Sequence, residues 1–372
     1  MRAVELTVEM DVREHFRRRM QNIGRSAELV KNFSVFDFDY VPPEPLMREE
    51  AVELIDEMLR FKVTGIPTHH FIIGSRGCGK TMTMKFLGGT LAVETGIPVH
   101  YANCRQHNTS YKILAHLLGV QPRGVSLAEL FETFEAKTDS QAIVLLDEIE
   151  LMSPKDRNRE ILFMLSRSRK RYMVISLSNN PRIVREIDMS TRSSLQPVSI
   201  HFRNYDAEQI LNILRERARQ GLQSCDEAQL AEIAALTVRR THSDVRVAIK
   251  TLFYSVTRSG KSLEESFERA RRDVMVDMIA DLSDSALMTL RAVATSETDF
   301  ARDIYGRYRR ICQGQGERPV SYVHFCSNLS HLQCGGIIAL VSTKVGRSYP
   351  NRVLLTFDRA TVEQICRLRF DQ

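Results

Sequence analysis

The chain has 372 residues, of which 43% are hydrophobic and 26% charged, and its formal net charge is +6. That length gives a prior of two or three domains, and the balance excludes a disordered or collagen-like chain. No stretch reaches the roughly 18 apolar residues that a membrane span needs, and the first residues lack an apolar core before a cleavage site. A cytoplasmic protein with no membrane partner is therefore expected. The seven cysteines are scattered without a CxxC pair, which reads as reduced thiols.

Residues 1–35 read as a basic N-terminal extension, a helix or a loose arm, with Arg17, Arg18 and Arg19 in a row on a solvated face. The prolines that follow Val41 mark an extended segment. Met47 to Leu59 has helical apolar spacing. Four short apolar runs then read as strands: Phe71–Ile73, Val99–Asn103, Ala142–Leu146 and Met173–Leu177. Helical patterns from Lys80, over Tyr111–Leu118 and over Ile161–Leu165 separate them. Buried strands alternating with helices predict an α/β fold with a parallel sheet covered on both faces. After Pro197 the strands are expected to stop. Residues 205–275 carry four helical patterns, and from 276 helices precede two strands around a Gly-containing tip, the order of a winged helix. The expected division is a basic extension at 1–35, a nucleotide-binding part at 36–203, a helical lid at 204–275 and a winged-helix part at 276–372.

The most specific signal is Gly74-Ser75-Arg76-Gly77-Cys78-Gly79-Lys80-Thr81, which matches the phosphate-binding pattern GxxxxGK[ST] between a strand and a helix. Glycines let backbone N–H groups curl around phosphates, and the helix N-terminus adds partial positive charge. Lys80 is expected on the β- and γ-phosphates and Thr81 on Mg²⁺, with Met82 next along the helix. The apolar run Ile143–Leu146 ends in Asp147-Glu148, at the strand end where α/β sheets place ligands. Asp147 is expected to hold Mg²⁺ and Glu148 to polarise the attacking water, because phosphoryl transfer needs alignment and charge stabilisation more than covalent help. Asn179 closes another buried strand and is placed to orient that water and sense the γ-phosphate, a reading preferred to that of an ordinary strand-end turn residue. ATP or ADP with Mg²⁺ is the cofactor these residues imply, and an ATPase the activity.

With these motifs in place, the chain resembles the archaeal origin-recognition and cell-division-control replication initiators, AAA+ ATPases with a C-terminal winged helix. The resemblance runs from about Val35 to the C-terminus. Tyr40-Val41-Pro42-Pro43 with Arg48-Glu49 resembles the family's adenine-side segment, which implies nucleotide contacts for Tyr40, Val41 and Arg48. Tyr101–Arg105 resembles its second strand, and Asp147–Leu151 and Ile175–Asn179 its acidic strand end and first sensor. Ser243-Asp244-Val245-Arg246 resembles the second-sensor helix, which implies that Arg246 reaches the γ-phosphate. Pro122–Ser126 resembles the initiator-specific insertion, which implies duplex contacts for Arg123 and Gly124. In one stretch the chain departs from the family: Ser190 stands where an arginine that acts across a subunit boundary is usual, and Arg192 is the nearest substitute. That departure favours slow hydrolysis and a nucleotide-held switch. The resemblance also implies double-stranded origin DNA, other initiator subunits and the replicative minichromosome-maintenance helicase as partners, and a nucleoid location.

Residues 301–352 hold eight basic side chains against two acidic ones, a concentration of charge suited to phosphates. Ser321–Leu332 is expected to be the recognition helix, presenting Tyr322, Asn328 and His331 to the major groove. Lys344 and Arg347 would form the wing tip, and Arg352 a further contact. His324, Cys326, His331 and Cys334 fit no common zinc spacing, so core packing is the better reading. Two other classes share the nucleotide motifs: a DNA-binding ATPase that is not an initiator, such as a transposition helper or signalling ATPase, and a clamp-loader subunit.

Overall fold

The computed structural model describes residues 20, 28–121, 123–153, 156, 158–258, 261–280, 282–342 and 351–371. The triplet at 17–19 and the expected wing tip, with Lys344 and Arg347, lie outside the described residues. The described chain forms two compact units, one of residues up to Pro42 with Tyr205–Val274, the other of Pro43–Asn204 with the residues from Met275 onward.

In the second of these units the first helix, α1 (Glu49–Thr64), leads to β1 (His70–Gly74), α2 (Lys80–Thr95) and β2 (Val99–Asn103). Then come α3 (Ser110–Leu118), α4 (Leu127–Lys137), β3 (Gln141–Asp147), α5 (Glu160–Arg167) and β4 (Arg171–Ser178). Two short helices, α6 (Ile183–Glu186) and α7 (Met189–Leu195), precede β5 (Val198–Phe202). The five strands form one parallel sheet in the order β2-β3-β4-β1-β5. Alternation along β3 shows why the sheet is covered twice. Ala142, Val144 and Leu146 pack on one face with Phe131, Phe134, Ile161 and Leu165. Ile143 and Leu145 pack on the other with Met58 and Phe61 of α1 and Met84 and Leu87 of α2. Each fully buried aliphatic or aromatic side chain contributes roughly 1.5–3 kcal/mol.

The strands do not stop at Pro197. Val198–Phe202 pairs along β1, from His70 opposite Val198 to Gly74 opposite Phe202. Only Ile200 and Phe202 of this strand are buried. An edge strand with one covered face lacks the continuous apolar run by which the inner strands are recognised.

The helical unit holds α8 (Ala207–Gly221), α9 (Glu227–Thr241), α10 (Val245–Thr257) and the first part of α11 (Leu263–Ala280). Asp206 and Gln209 close a capping box at the start of α8. The segment before Pro42 groups with these helices rather than with the nucleotide-binding part, and α8 supplies the reason. Arg217 is buried, donates to the carbonyls of Val35 and Tyr40, and lies over the Tyr40 ring at 4.6 Å. Gly221 is needed there, because a Cβ would come 2.3 Å from Val35 Cγ2.

The C-terminal module returns to the second unit with α12 (Asp284–Thr295), α13 (Ala301–Gly314), α14 (Tyr322–Cys334), an antiparallel ribbon of β6 (Ile338–Ser342) and β7 (Asn351–Leu355), and α15 (Arg359–Phe370). This is a winged helix. Leu290, Ile304, Tyr308, Phe325, Leu332, Val353 and Val362 are buried in it. No helix among the described residues is long and apolar enough to cross a membrane.

Candidate nucleotide-binding site and nucleic-acid surface

The register of the sheet assembles the site at the C-terminal ends of its strands. Asn103 lies opposite Asp147, and Ile73 opposite Ser178. The chain leaves β1 at Gly74, where a Cβ would come 2.7 Å from the Phe202 carbonyl oxygen and 2.9 Å from Cys78 Sγ. Gly77 and Gly79 then take left-handed conformations (φ 74° and 87°) that turn the loop into α2. Buried Arg48 braces this loop. Its Nη1 donates to the Cys78 carbonyl at 2.6 Å, its Nη2 to that of Arg203 at 2.6 Å, and its guanidinium lies over the Phe202 ring. The guanidinium expected on a nucleotide thus fastens the phosphate loop to the edge of the sheet, because its donors are committed to backbone oxygens and to the Glu50 carboxylate. Ser75 Oγ donates to Asn204 Oδ1, and Arg76 and Met82 are half-buried.

Lys80 Nζ donates to the carbonyls of Gly74 and Ser75, each at 2.8 Å, and to Asn179 Oδ1 at 2.9 Å. Cys78 Sγ lies 3.7 Å away. Asn179 is itself oriented by Glu150, whose Oε1 accepts from its backbone N–H and from Nδ2. Thr81 Oγ1 donates to Asp147 Oδ2 at 2.8 Å, and the Tyr101 hydroxyl donates to the same oxygen at 2.9 Å. Burial raises the Asp147 carboxyl above its usual range, while the bonds from Thr81 and Tyr101 pull it back. Burial and the Asp147 carboxylate together push the Tyr101 hydroxyl up, so it remains a donor.

Glu148 takes a left-handed conformation at φ 53°, a cost on the order of 1 kcal/mol or more for a non-glycine residue. Its carboxylate is gripped by Arg105, Nε to Oε2 at 2.9 Å and Nη2 to Oε1 at 3.0 Å, with Asn103 Nδ2 at 3.4 Å from Oε2. Burial pushes Glu148 up, but the bonds and charge of Arg105, with Arg76 and Asn103, outweigh it and hold the group ionised below its usual range. Tyr101, Asn103, Arg105 and Glu150 were not among the predicted site residues. Glu150 follows the acidic pair by two residues; the other three become visible only through the pairing of β2 with β3.

The residues of this edge fit a nucleotide with a divalent cation. Left-handed glycines before a helix N-terminus present backbone N–H groups to phosphate. Thr81 and Asp147 supply an oxygen-only pair suited to a hard cation. Three predicted site residues, Arg246, Tyr40 and Val41, lie in the helical unit. Arg246 is bidentate on Asp244, at 2.9 and 2.6 Å. The Tyr40 hydroxyl bonds Gln220, and Val41 adjoins it. Arg192 is exposed on α7.

Among the expected DNA contacts, Arg123 and Gly124 lie exposed on the loop before α4, with Gly124 at φ 69°, and Ser126 caps that helix with Glu129. Tyr322 is 43% exposed, edge-on to Tyr305 and stacked against Phe325. Asn328 does not face outward. Its Nδ2 donates to the carbonyl and hydroxyl of Ser285 and to Thr289 Oγ1, so it ties α14 to α12. His331 is half-buried too, and burial together with the charge of Arg76 lowers its pKa. The described side chains that α14 does expose are Tyr322, Val323, His324, Ser327 and Gln333. Arg352 is half-exposed and paired with Asp299 at 2.6 Å. Among the described residues no group of three metal-ligating side chains is assembled.

A five-stranded parallel sheet with a glycine-turned phosphate loop, an acidic strand end and an asparagine at the neighbouring strand end, bonded to the loop lysine, is the arrangement of an AAA+ protein. A family model described as an AAA domain matches residues 67–184. The chain is 26% identical over 362 residues to the ORC1-type DNA replication protein 1 of Archaeoglobus fulgidus, covering 88% of this chain and 87% of that protein. It resembles the solved structure of the Aeropyrum pernix Orc1 protein in complex with DNA, at 25% identity and a TM-score of 0.69, over 92% of this chain and 98% of the other. The Cdc6 protein of Pyrobaculum aerophilum shares the fold, at 21% identity and a TM-score of 0.57, over 92% and 100%. Over nearly its whole length the chain is thus similar to archaeal origin-recognition and cell-division-control proteins, and its residues 67–184 form an AAA domain.

Proposed function

We propose that the protein is an ATP-dependent replication initiator that binds origin duplex DNA and helps recruit the replicative minichromosome-maintenance helicase, with ATP and ADP as its switch. The observation that carries this reading is the likeness along nearly the whole chain, winged helix included, to an Orc1 protein solved on DNA. At the nucleotide edge, Lys80 leaves its loop carbonyls to meet the β- and γ-phosphates. Thr81 and Asp147 hold Mg²⁺, which neutralises phosphate charge during transfer. Asn179, fixed by Glu150, positions the attacking water. Glu148 accepts its proton once Arg105 releases the carboxylate, and that grip favours slow hydrolysis. Arg246 reads the γ-phosphate from the helical unit, and Arg192 serves in trans where Ser190 cannot. On the DNA side, Arg123, Gly124, Arg352, Lys344 and Arg347 meet phosphates, while Tyr322 and its exposed neighbours on α14 meet base edges.

The test is a competition titration at physiological salt, with ADP and with ATP. Labelled host-genome fragments from beside the protein's own gene compete against random duplex. A preference of about 10³ or more for particular fragments is expected. Equal affinity for all duplexes would replace the initiator by a non-specific DNA ATPase.

A further inference from the structure

The edge of the sheet opposite the nucleotide carries a second concentration of charge. Between α5 and β4 the chain reads Arg167-Ser168-Arg169-Lys170-Arg171, four cations in five residues. This run meets the end of α1 in an open cavity of about 570 Å³, lined by Lys62, Gly65, Gln141, Arg169, Lys170 and Arg171 among others. The volume is in the range of small-ligand pockets. Gln141 opens β3 and Asp147 closes it, so the cavity lies about 20 Å from the Mg²⁺ ligands at a rise of about 3.3 Å per residue.

The wall is built, and its cations are held in place. Gly65 ends α1 at φ +67°, a conformation that favours glycine, and its open face leaves room for the Arg171 guanidinium, whose Nη1 a Cβ would approach to 2.2 Å. Arg171 Nη1 donates to the Thr64 carbonyl at 3.4 Å, and Lys170 Nζ donates to the Thr138 carbonyl. These contacts place both cations and offset the negative end of α1 without consuming a carboxylate. No acidic residue lines the cavity. Glu135, on neighbouring α4, takes the Ser168 hydroxyl. Among the described residues no acidic side chain pairs with Lys62, Arg169, Lys170 or Arg171. Four uncompensated cations around one concave space repel each other unless an anion joins them.

We propose that this cavity is a second phosphate-binding site, which takes backbone phosphates of duplex DNA apart from the winged helix. Phosphate suits it better than the carboxylates of an acidic protein segment, because two of the cations are guanidinium forks and the lining offers the Gln141 amide beside them. The inference rests on the reading that the protein binds duplex DNA.

The full chain carrying Lys62→Ala and Arg169→Ala, two side chains with no internal bond that the fold requires, is titrated with labelled random-sequence duplex over a range of salt. Far-UV circular dichroism and Tm verify its fold, and Arg352→Ala serves as the winged-helix control. The expected result is affinity weaker by about tenfold and a salt slope smaller by about two, near 0.9 per lost phosphate contact. An unchanged slope in the double variant, with duplex still bound by the wild type, overturns the cavity site and leaves the DNA-binding reading standing. No duplex binding by the wild type overturns that reading and the site with it. Binding of a polyglutamate peptide that the double variant loses, with its duplex slope unchanged, assigns the cavity to an acidic protein and also overturns the proposal.

Discussion

The nucleotide edge and the winged helix hold their polar side chains in opposite ways. At the nucleotide edge every functional group is bonded to another: Lys80 to Asn179, Asn179 to Glu150, Thr81 and Tyr101 to Asp147, Arg105 to Glu148. On the winged helix most of the described basic side chains stand on the surface, and half-exposed Arg352 shares a single acid, Asp299. A buried interlocked network leaves unpaired groups behind when one member is removed, so its effects are large, specific and non-additive. A dispersed surface loses one phosphate contact at a time, in small steps that salt can mimic.

Lys80→Ala is the sharpest way to break that contrast. Hydrogen bonds to a charged group are worth roughly 1.5–3 kcal/mol, so ADP and ATP affinity are expected to fall by about a hundredfold while the fold remains intact. A fluorescent-ADP titration checks this, and unchanged affinity would displace the site from the loop. Arg105→Ala has the next largest effect. It frees Glu148 from its bidentate grip, and steady-state hydrolysis is expected to rise by about tenfold. The pH profile separates this release from other causes. In the proposed mechanism Glu148 acts as an ionised base, so activity is expected to be lost as pH falls through its pKa. Arg105 holds that pKa down against burial, so its removal moves the acid limb to higher pH. A lower rate with an unmoved acid limb would mean that Arg105 assists the reaction itself.

The same contrast decides what was legible in the sequence. The phosphate loop is contiguous, and its chemistry follows from eight consecutive residues, so Gly74–Thr81 could be read directly. The inner strands were legible as apolar runs because both faces of the sheet are covered. Arg105 and Tyr101 were not, because their partners lie 43 and 46 residues away and meet them only through the register of β2 on β3. β5 was missed because one of its faces is open. Asn328 was misread because the spacing of α14 gives a buried stripe but not which polar residue beside it meets α12. The grouping of Tyr40 with α8 depends on Arg217 and Gly221, distant residues whose pattern is that of any amphipathic helix.

Asn328→Ala tests the helical phase of α14. Loss of its bonds to Ser285 and Thr289 is expected to cost about 1 kcal/mol of stability, seen as a lower Tm, with sequence preference on DNA unchanged. Altered base preference at unchanged Tm would return Asn328 to the interface.

Arg352→Ala carries the smallest effect and sharpens the surface side of the comparison. The side chain lies near the loop end of the ribbon, opposite Val341, half-exposed, with Nη2 on Asp299. Exposed pairs of this kind contribute about 0–1 kcal/mol, so the fold is expected to be indifferent to its loss. Duplex DNA loses one cation and faces an unmasked Asp299, and affinity is expected to fall by about threefold at physiological salt. The salt slope should decrease by about one, equally for every sequence, because a phosphate contact positions without specifying. Asp299→Asn isolates the second contribution: it removes the carboxylate and leaves the guanidinium, so duplex affinity is expected to rise slightly with the slope intact. Weaker binding in that variant would mean that Asp299 orients Arg352 for its phosphate, and that the surface side of the molecule also depends on paired geometry.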